Sequence, residues 1–152
     1  MHLERIAMSR CKKSTENKGL FTSKTVAVHI DTFEKLWHEN PYYLGCLLQS
    51  GFTEAERNYA KTFKSFQHFA VRLACKLAAS HISRIPWYHF EVIRSEEGVP
   101  HLKILAQHIG HDHKTMYYEG VNSTPREFLI SLTHDDPWAI AYVSTYSPSH
   151  TL

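Results

Sequence analysis

The chain has 152 residues, of which 43% are hydrophobic and 12% aromatic, and its formal net charge at pH 7 is +2. This composition is typical of one globular domain and excludes a disordered or fibrous protein. The small net charge and the lack of a long basic block argue against partners such as nucleic acid or an anionic membrane surface. No apolar run reaches the roughly 20 residues that a membrane-spanning helix needs.

The cysteines indicate the redox compartment. The chain has three cysteines, an odd number, and none of them form a Cys-x-x-Cys pair. They are Cys11, Cys46 and Cys75. Unpaired thiols favour a reducing compartment over a disulfide framework. Because no apolar run of signal-peptide length begins the chain, we expect a cytoplasmic protein.

Residues 1–23 are polar and basic, with little periodicity, and are expected to form a flexible N-terminal extension. We predict a single domain over residues 24–147, followed by a short tail at 148–152. No internal repeat or low-complexity tract suggests a further division.

The domain begins with a β-branched run at 26–30, which predicts a strand. A helix through Phe33 and Trp37 is expected next, and either Asp31 or Thr32 is expected to cap it.

Two more helices follow. Thr53 and Glu56 form a capping box, in which each side chain satisfies a backbone donor of the first turn. A third helix is predicted over 65–80, because apolar residues recur there at helical spacing. That stripe consists of Phe66, Phe69, Ala70, Leu73 and Leu77.

The second half of the chain has strand patterns. These are 90–94 and 101–104 around a turn at 96–98, and 128–133 and 139–146 around a turn at 135–137. Helices followed by hairpins predict an α+β fold in which an antiparallel sheet packs against the helices.

Four stretches, in order, resemble the holo-acyl-carrier-protein synthase family of 4′-phosphopantetheinyl transferases. They lie at 33–44, 52–59, 69–78 and 131–143. In the third, FAVRLACKLA stands where the family usually shows FAARFAAKEA. The strand–turn–strand at 90–103 is also similar, so the resemblance covers about residues 25–145.

The resemblance implies the family's fold and its reaction, in which 4′-phosphopantetheine moves from coenzyme A to a serine of an acyl carrier protein. In the family, an aspartate and a glutamate hold a magnesium ion at the pyrophosphate. Basic side chains hold the nucleotide phosphates. The members typically form trimers with sites between protomers, which implies a homotrimer here, or a hetero-oligomer with a pathway enzyme.

The magnesium ligands differ from the family's pattern. The glutamate position is Leu77, and leucine cannot coordinate a hard cation. Aligned without a gap, the aspartate position falls on Val26. With a gap, Asp31 takes that position and Glu34 keeps the D-x-x-E spacing. Asp31 and Glu34 are therefore the candidate catalytic carboxylates, with Asp31 the candidate metal ligand unless it serves only as the helix cap.

The resemblance also suggests which residues bind the cofactor. Arg72 and Lys76 match basic positions near the coenzyme A phosphates, and His81 stands where the family often has a lysine. Spacing by four places Arg72 and Lys76 on one helix face, with His68 preceding them, and a solvated face would also explain their charges. His134 keeps the histidine of the family's strand motif and is a candidate catalytic residue, although a structural role fits equally.

A separate group of histidines, His108, His111 and His113, has spacing that can bind zinc or nickel in a loop. No cysteine or fourth spaced ligand accompanies it, so a polar loop explains it better.

Two functional hypotheses follow. The first is a phosphopantetheinyl transferase of this family, with the loss of a magnesium carboxylate weakening catalysis. The second is a non-catalytic binding or partner subunit in a fatty acid or polyketide pathway, which the apolar residues Val26 and Leu77 motivate.

Overall fold

The computed structural model describes residues 7–16, 19–39, 48–61, 66–105 and 128–148. The described part includes three α-helices, a short 3-10 helix (Trp87–His89) and six strands. The helices are α1 (Ile30–Glu39), α2 (Glu54–Lys61) and α3 (Gln67–Ser83). The strands are β1 (Ala7–Glu16), β2 (Gly19–His29), β3 (Phe90–Arg94), β4 (Pro100–Ile104), β5 (Phe128–Asp135) and β6 (Trp138–Pro148).

The strands form a four-stranded antiparallel sheet of order β1-β2-β6-β5 and a separate β3-β4 hairpin. The central pair aligns Val26 with Ala141 and Val28 with Ala139, so these four side chains share one face of the sheet. All four are at most 2% exposed, because α3 packs across this inner face. The predicted α+β architecture is confirmed.

The N-terminal segment differs from its predicted conformation. Residues 7–16 and 19–29 pair as an antiparallel hairpin, and β2 also pairs with β6 along its whole length. The described residues of the segment 1–23, for which a flexible extension is expected, add one strand and half of another to the sheet. Backbone pairing with distant strands, rather than local periodicity, gives this segment its structure.

The first helix begins with an unusual capping residue. α1 starts at Ile30, so His29 occupies the position before it. The Nδ1 atom of His29 accepts a hydrogen bond from the backbone N–H of Thr32 at 3.2 Å and lies 2.8 Å from the Thr32 hydroxyl. The sequence predicts that Asp31 or Thr32 caps this helix. The structure shows that His29 does so instead. Asp31 instead lies exposed in the first turn, where its charge suits the helix dipole.

We expect His29→Ala to lower the free energy of unfolding by about 1 kcal/mol, because a backbone donor of the first turn loses its acceptor. His29→Asn supplies another acceptor and should recover most of this loss, whereas it does not replace the ring contact with Trp138 at 5.1 Å. Urea denaturation of the three proteins measures the difference. Equal losses in the two variants would assign the stability to the ring contact instead of the cap.

Two other helix ends, the start of α2 and the end of α3, have common capping motifs. Thr53 Oγ1 accepts from the N–H of Glu56, and Glu56 Oε1 accepts from the N–H of Thr53, which confirms the predicted capping box. α3 ends where Arg84 adopts a left-handed conformation, with φ of 64°, and donates its N–H to the carbonyl of Ser80. None of the helices in the described ranges is both long and apolar enough to cross a membrane.

Candidate functional site

Two arginines and a histidine surround one tyrosine ring at the junction of α2, α3 and β3. The guanidinium carbon of Arg72 lies 4.4 Å from the centre of the Tyr59 ring, and that of Arg94 lies 5.6 Å from it. The imidazole of His68 meets the same ring edge-on at 5.8 Å. We call Tyr59, His68, Arg72 and Arg94 the Tyr59 cluster. The tyrosine ring attracts both cations, because its π-electron density interacts favourably with a positive charge.

The positive charges of the cluster act on one another. Partial burial lowers the pKa of His68 below its ordinary value, and the charges of Arg72, Arg94 and His134 lower it further. His134, near the C-terminal end of β5, is therefore close enough to the cluster for its charge to affect the pKa of His68. The site favours an incoming negative charge over further positive charge.

Arg72 is the most buried member of the cluster, with 2% of its surface exposed. Burial lowers its pKa, while Glu56 and Tyr59 act in the opposite direction. Its Nη1 donates to the carbonyl of His68 at 3.0 Å, and its Nε finds no hydrogen-bond partner among the described residues. Within that part of the chain, neither Arg72 nor Arg94 forms an ion pair with a carboxylate.

One turn further along α3, Lys76 is completely buried. Its Nζ lies 2.5 Å from Oε1 of Glu56 and donates to the carbonyl of Gly51 at 2.8 Å, over the ring of Phe52. The other carboxylate oxygen of Glu56 accepts the N–H of Val92 at 3.1 Å. The ion pair therefore links α2, α3 and β3 beneath the Tyr59 cluster.

This position bears on the predicted role of Lys76 in binding coenzyme A. Burial lowers the pKa of its ammonium group, and Glu56 opposes that shift. Since the Lys76 side chain has no exposed surface, it cannot contact a ligand directly in this structure. It stabilises the elements that carry the Tyr59 cluster.

The two positions that the resemblance assigns to magnesium ligands lie on β2 and α3, and both side chains contribute to the apolar core. Val26 is 2% exposed and belongs to the main core, and Leu77 packs against that core from α3. Neither side chain offers a ligand atom, and no three potential ligands (His, Cys, Asp or Glu) come together in the described ranges. These residues do not fit a magnesium site, so we derive no chemical step through a metal.

The remaining predicted residues lie apart. Asp31 and Glu34 are exposed on α1, and His134 is exposed on β5. His81 is exposed in the last turn of α3, nine residues after Arg72, which is roughly 13 Å along the helix axis. The charge of His134 influences the pKa of His68, which neighbours Arg72, whereas His81 lies further along α3.

Three solved structures similar to this chain come from two bacteria. The apo-ACPS structure from Chronobacterium ammoniagenes superposes with a TM-score of 0.63 at 16% identity, covering 91% of this chain and 98% of the other. The ACPS–CoA complex from the same organism has a TM-score of 0.60 at 22% identity, covering 82% and 96%. A holo-(acyl-carrier-protein) synthase from Bacillus anthracis, in complex with CoA (3′,5′-ADP), has a TM-score of 0.57 at 23% identity, covering 81% and 93%.

The chain has the holo-(acyl-carrier-protein) synthase fold. Near-complete coverage of the other chains means that the likeness extends over the whole of that fold rather than one motif. No protein-family model matches the sequence, and no curated protein matches it either.

Within the holo-(acyl-carrier-protein) synthase fold, the Tyr59 cluster includes residues that the sequence did not single out as a site. Arg94 ends an ordinary strand pattern, and Tyr59 lies in a stretch noted only for its resemblance. The spacing of His68 and Arg72 by four was the one available signal, since it places both on one face of α3. His108, His111 and His113 lie outside the described residues.

Proposed function

We propose that this chain is a protein of the phosphopantetheinyl transferase type that binds coenzyme A and acts on an acyl carrier protein. The observation that carries the proposal is the Tyr59 cluster, two arginines without described acidic partners, in a chain with the holo-(acyl-carrier-protein) synthase fold. Guanidinium groups suit phosphate oxygens because they donate several hydrogen bonds in a fixed plane. The reaction to be tested is transfer of 4′-phosphopantetheine from coenzyme A to a carrier-protein serine.

The outer face of the main sheet supports assembly with further chains. By strand register, the exposed apolar side chains of this face point away from α3, and no described element covers them. They are Met8, Phe21, Leu129, Tyr142 and Tyr146, and the exposed fraction reaches 67% at Leu129. Exposed apolar side chains gathered on one sheet face are typical of a subunit interface. We propose a homotrimer, with a hetero-oligomer formed with a pathway enzyme as the alternative.

A cytoplasmic location belongs to the same proposal. Cys75, a free thiol in the described part of the chain, is buried, and burial raises its pKa to about 12. An inert, unpaired thiol is compatible with a reducing compartment. Coenzyme A and acyl carrier proteins are the proposed partners, without nucleic acid or membrane.

The binding half of the proposal is tested by calorimetric titration of coenzyme A, with and without magnesium. Arg94→Ala should weaken coenzyme A binding about tenfold, because a charge-assisted hydrogen bond to a phosphate is lost. Lys103→Ala is the matched control, since it removes a cation from the opposite face of the β3-β4 hairpin and should change affinity less than twofold. Equal losses in both variants would indicate a general charge effect, and unchanged binding in Arg94→Ala would remove the cluster from the coenzyme A site.

A second candidate, a non-catalytic partner subunit, is favoured by Val26 and Leu77. Both apolar side chains contribute to the core where the family's magnesium ligands are expected. Incubating the protein with an apo carrier protein, saturating coenzyme A and magnesium separates the two candidates by mass spectrometry. A mass gain on the carrier protein supports the transferase. Coenzyme A binding without a mass gain supports the partner subunit.

A further inference from the structure

The Tyr59 cluster receives titratable or charged groups from four elements. α2 contributes Tyr59, α3 contributes His68 and Arg72, and β3 contributes Arg94. β5 contributes the charge of His134. Glu56 is the carboxylate that raises the pKa of Arg72. It is hydrogen-bonded to Lys76 and to the backbone of β3.

Two fixed cations therefore lie beside a histidine, without a free described carboxylate to balance them. Arginine stays charged at all physiological pH values, whereas an imidazole can lose its proton and relieve the repulsion. The histidine is the adjustable member of the group. An anion placed between the arginines would remove the repulsion and restore the advantage of protonating the imidazole.

We propose that an anion of the phosphate class, bound at the Tyr59 cluster by Arg94 and Arg72, draws a proton from solvent onto His68, so that this site takes up ligand and proton together. The biological ligand would be the phosphates of coenzyme A, and in that respect the inference rests on the proposed function. The proton coupling itself requires only a phosphate-class anion and is tested without coenzyme A.

The electrostatics of the empty cluster agree with this mechanism. Burial and then the charges of Arg72, Arg94 and His134 lower the pKa of His68, which favours the neutral imidazole before the anion arrives. A bound dianion acts with the opposite sign and raises that pKa.

The sign of the pH dependence follows from linkage. Where the free protein has a neutral His68 and the complex a protonated one, binding consumes a proton, so affinity rises as pH falls. We expect anion binding to be about three- to tenfold tighter at pH 5.5 than at pH 7.5, relative to a variant that cannot titrate. The comparison with a variant is needed because a phosphomonoester itself titrates near pH 6.

The test is a proton NMR titration of the histidine Cε1–H resonances, with and without saturating inorganic pyrophosphate. His68→Gln assigns the His68 resonance and removes the titrating group, while His134→Gln does the same for the neighbouring histidine. His101→Gln is the control, because His101 is exposed on the outward face of the hairpin, away from Arg94. Calorimetry of coenzyme A in buffers of different ionisation enthalpy then counts the protons taken up.

We expect pyrophosphate to raise the pKa of His68 by about one unit and to leave the His101 resonance unmoved. In His68→Gln, the affinity for the anion should change with pH only because the ligand itself titrates. An unmoved His68 resonance, no pyrophosphate binding, or proton uptake that persists in His68→Gln but disappears in His134→Gln would each overturn the inference. If pyrophosphate shifts His68 while coenzyme A does not bind, the proton-linked site stands and the proposed function fails.

Discussion

Replacing Lys76 with methionine is expected to lower the free energy of unfolding by about 3–5 kcal/mol. The ammonium group is fully buried and is a direct partner of Glu56, which is also buried. Methionine fills most of the volume but leaves a carboxylate inside the protein without its cation. Guanidinium denaturation monitored by tryptophan fluorescence measures the loss.

A double variant separates the ion pair from packing. Glu56→Gln keeps an acceptor for the first turn of α2, while its amide nitrogen no longer accepts from the N–H of Val92. Lys76→Met combined with Glu56→Gln leaves no buried charge and should be about 2 kcal/mol more stable than Lys76→Met alone. A Lys76→Met variant within 1 kcal/mol of the original protein would mean that the buried pair contributes little.

The second large effect is expected at Gly51, which lies against the indole ring of Trp87. A Cβ atom added to Gly51 would lie 2.0 Å from Cη2 and 2.1 Å from Cζ3 of that ring. The indole is itself buried, so it cannot swing aside, and we expect Gly51→Ala to cost about 3 kcal/mol. The same substitution disturbs the carbonyl of Gly51, which accepts from Lys76. Thermal unfolding followed by circular dichroism measures the change.

Gly98→Ala provides the matched control for this prediction. Gly98 has a positive φ of 82°, but nothing lies within 4 Å of an added Cβ, so only backbone strain of about 1 kcal/mol is expected. Trp87→Leu should rescue part of the loss in Gly51→Ala if the clash with the ring is the cause. A loss at Gly51 no larger than that at Gly98 would show that the indole adapts.

Local patterns predicted the regular elements well. The capping box at Thr53 and Glu56 appears as expected, and the predicted strand at 90–94 has the same bounds as β3. The third helix, expected over 65–80, is observed as Gln67–Ser83. These signals are short-range, because a cap or an apolar stripe is encoded within one or two turns.

Features created by distant parts of the chain could not be predicted in the same way. Spacing by four correctly puts His68, Arg72 and Lys76 on one face of α3, but does not say what covers that face. Glu56 and β3 bury Lys76, whereas His68 and Arg72 lie beside Tyr59. β2 shows the same limit, since its partner β6 lies more than a hundred residues away in sequence.

The pairing of β2 with β6 also sets constraints on how the chain can fold. This central pair joins Gly19–His29 to Trp138–Pro148, so the main sheet closes across most of the sequence. Contacts between residues so far apart demand closure of a long loop before any pairing energy is gained, which slows folding relative to helical proteins of similar size. During synthesis, β1 and β2 would leave the ribosome long before β6 exists. Until then their apolar residues and open strand edge would be exposed to other chains, a period when chaperone binding would matter most.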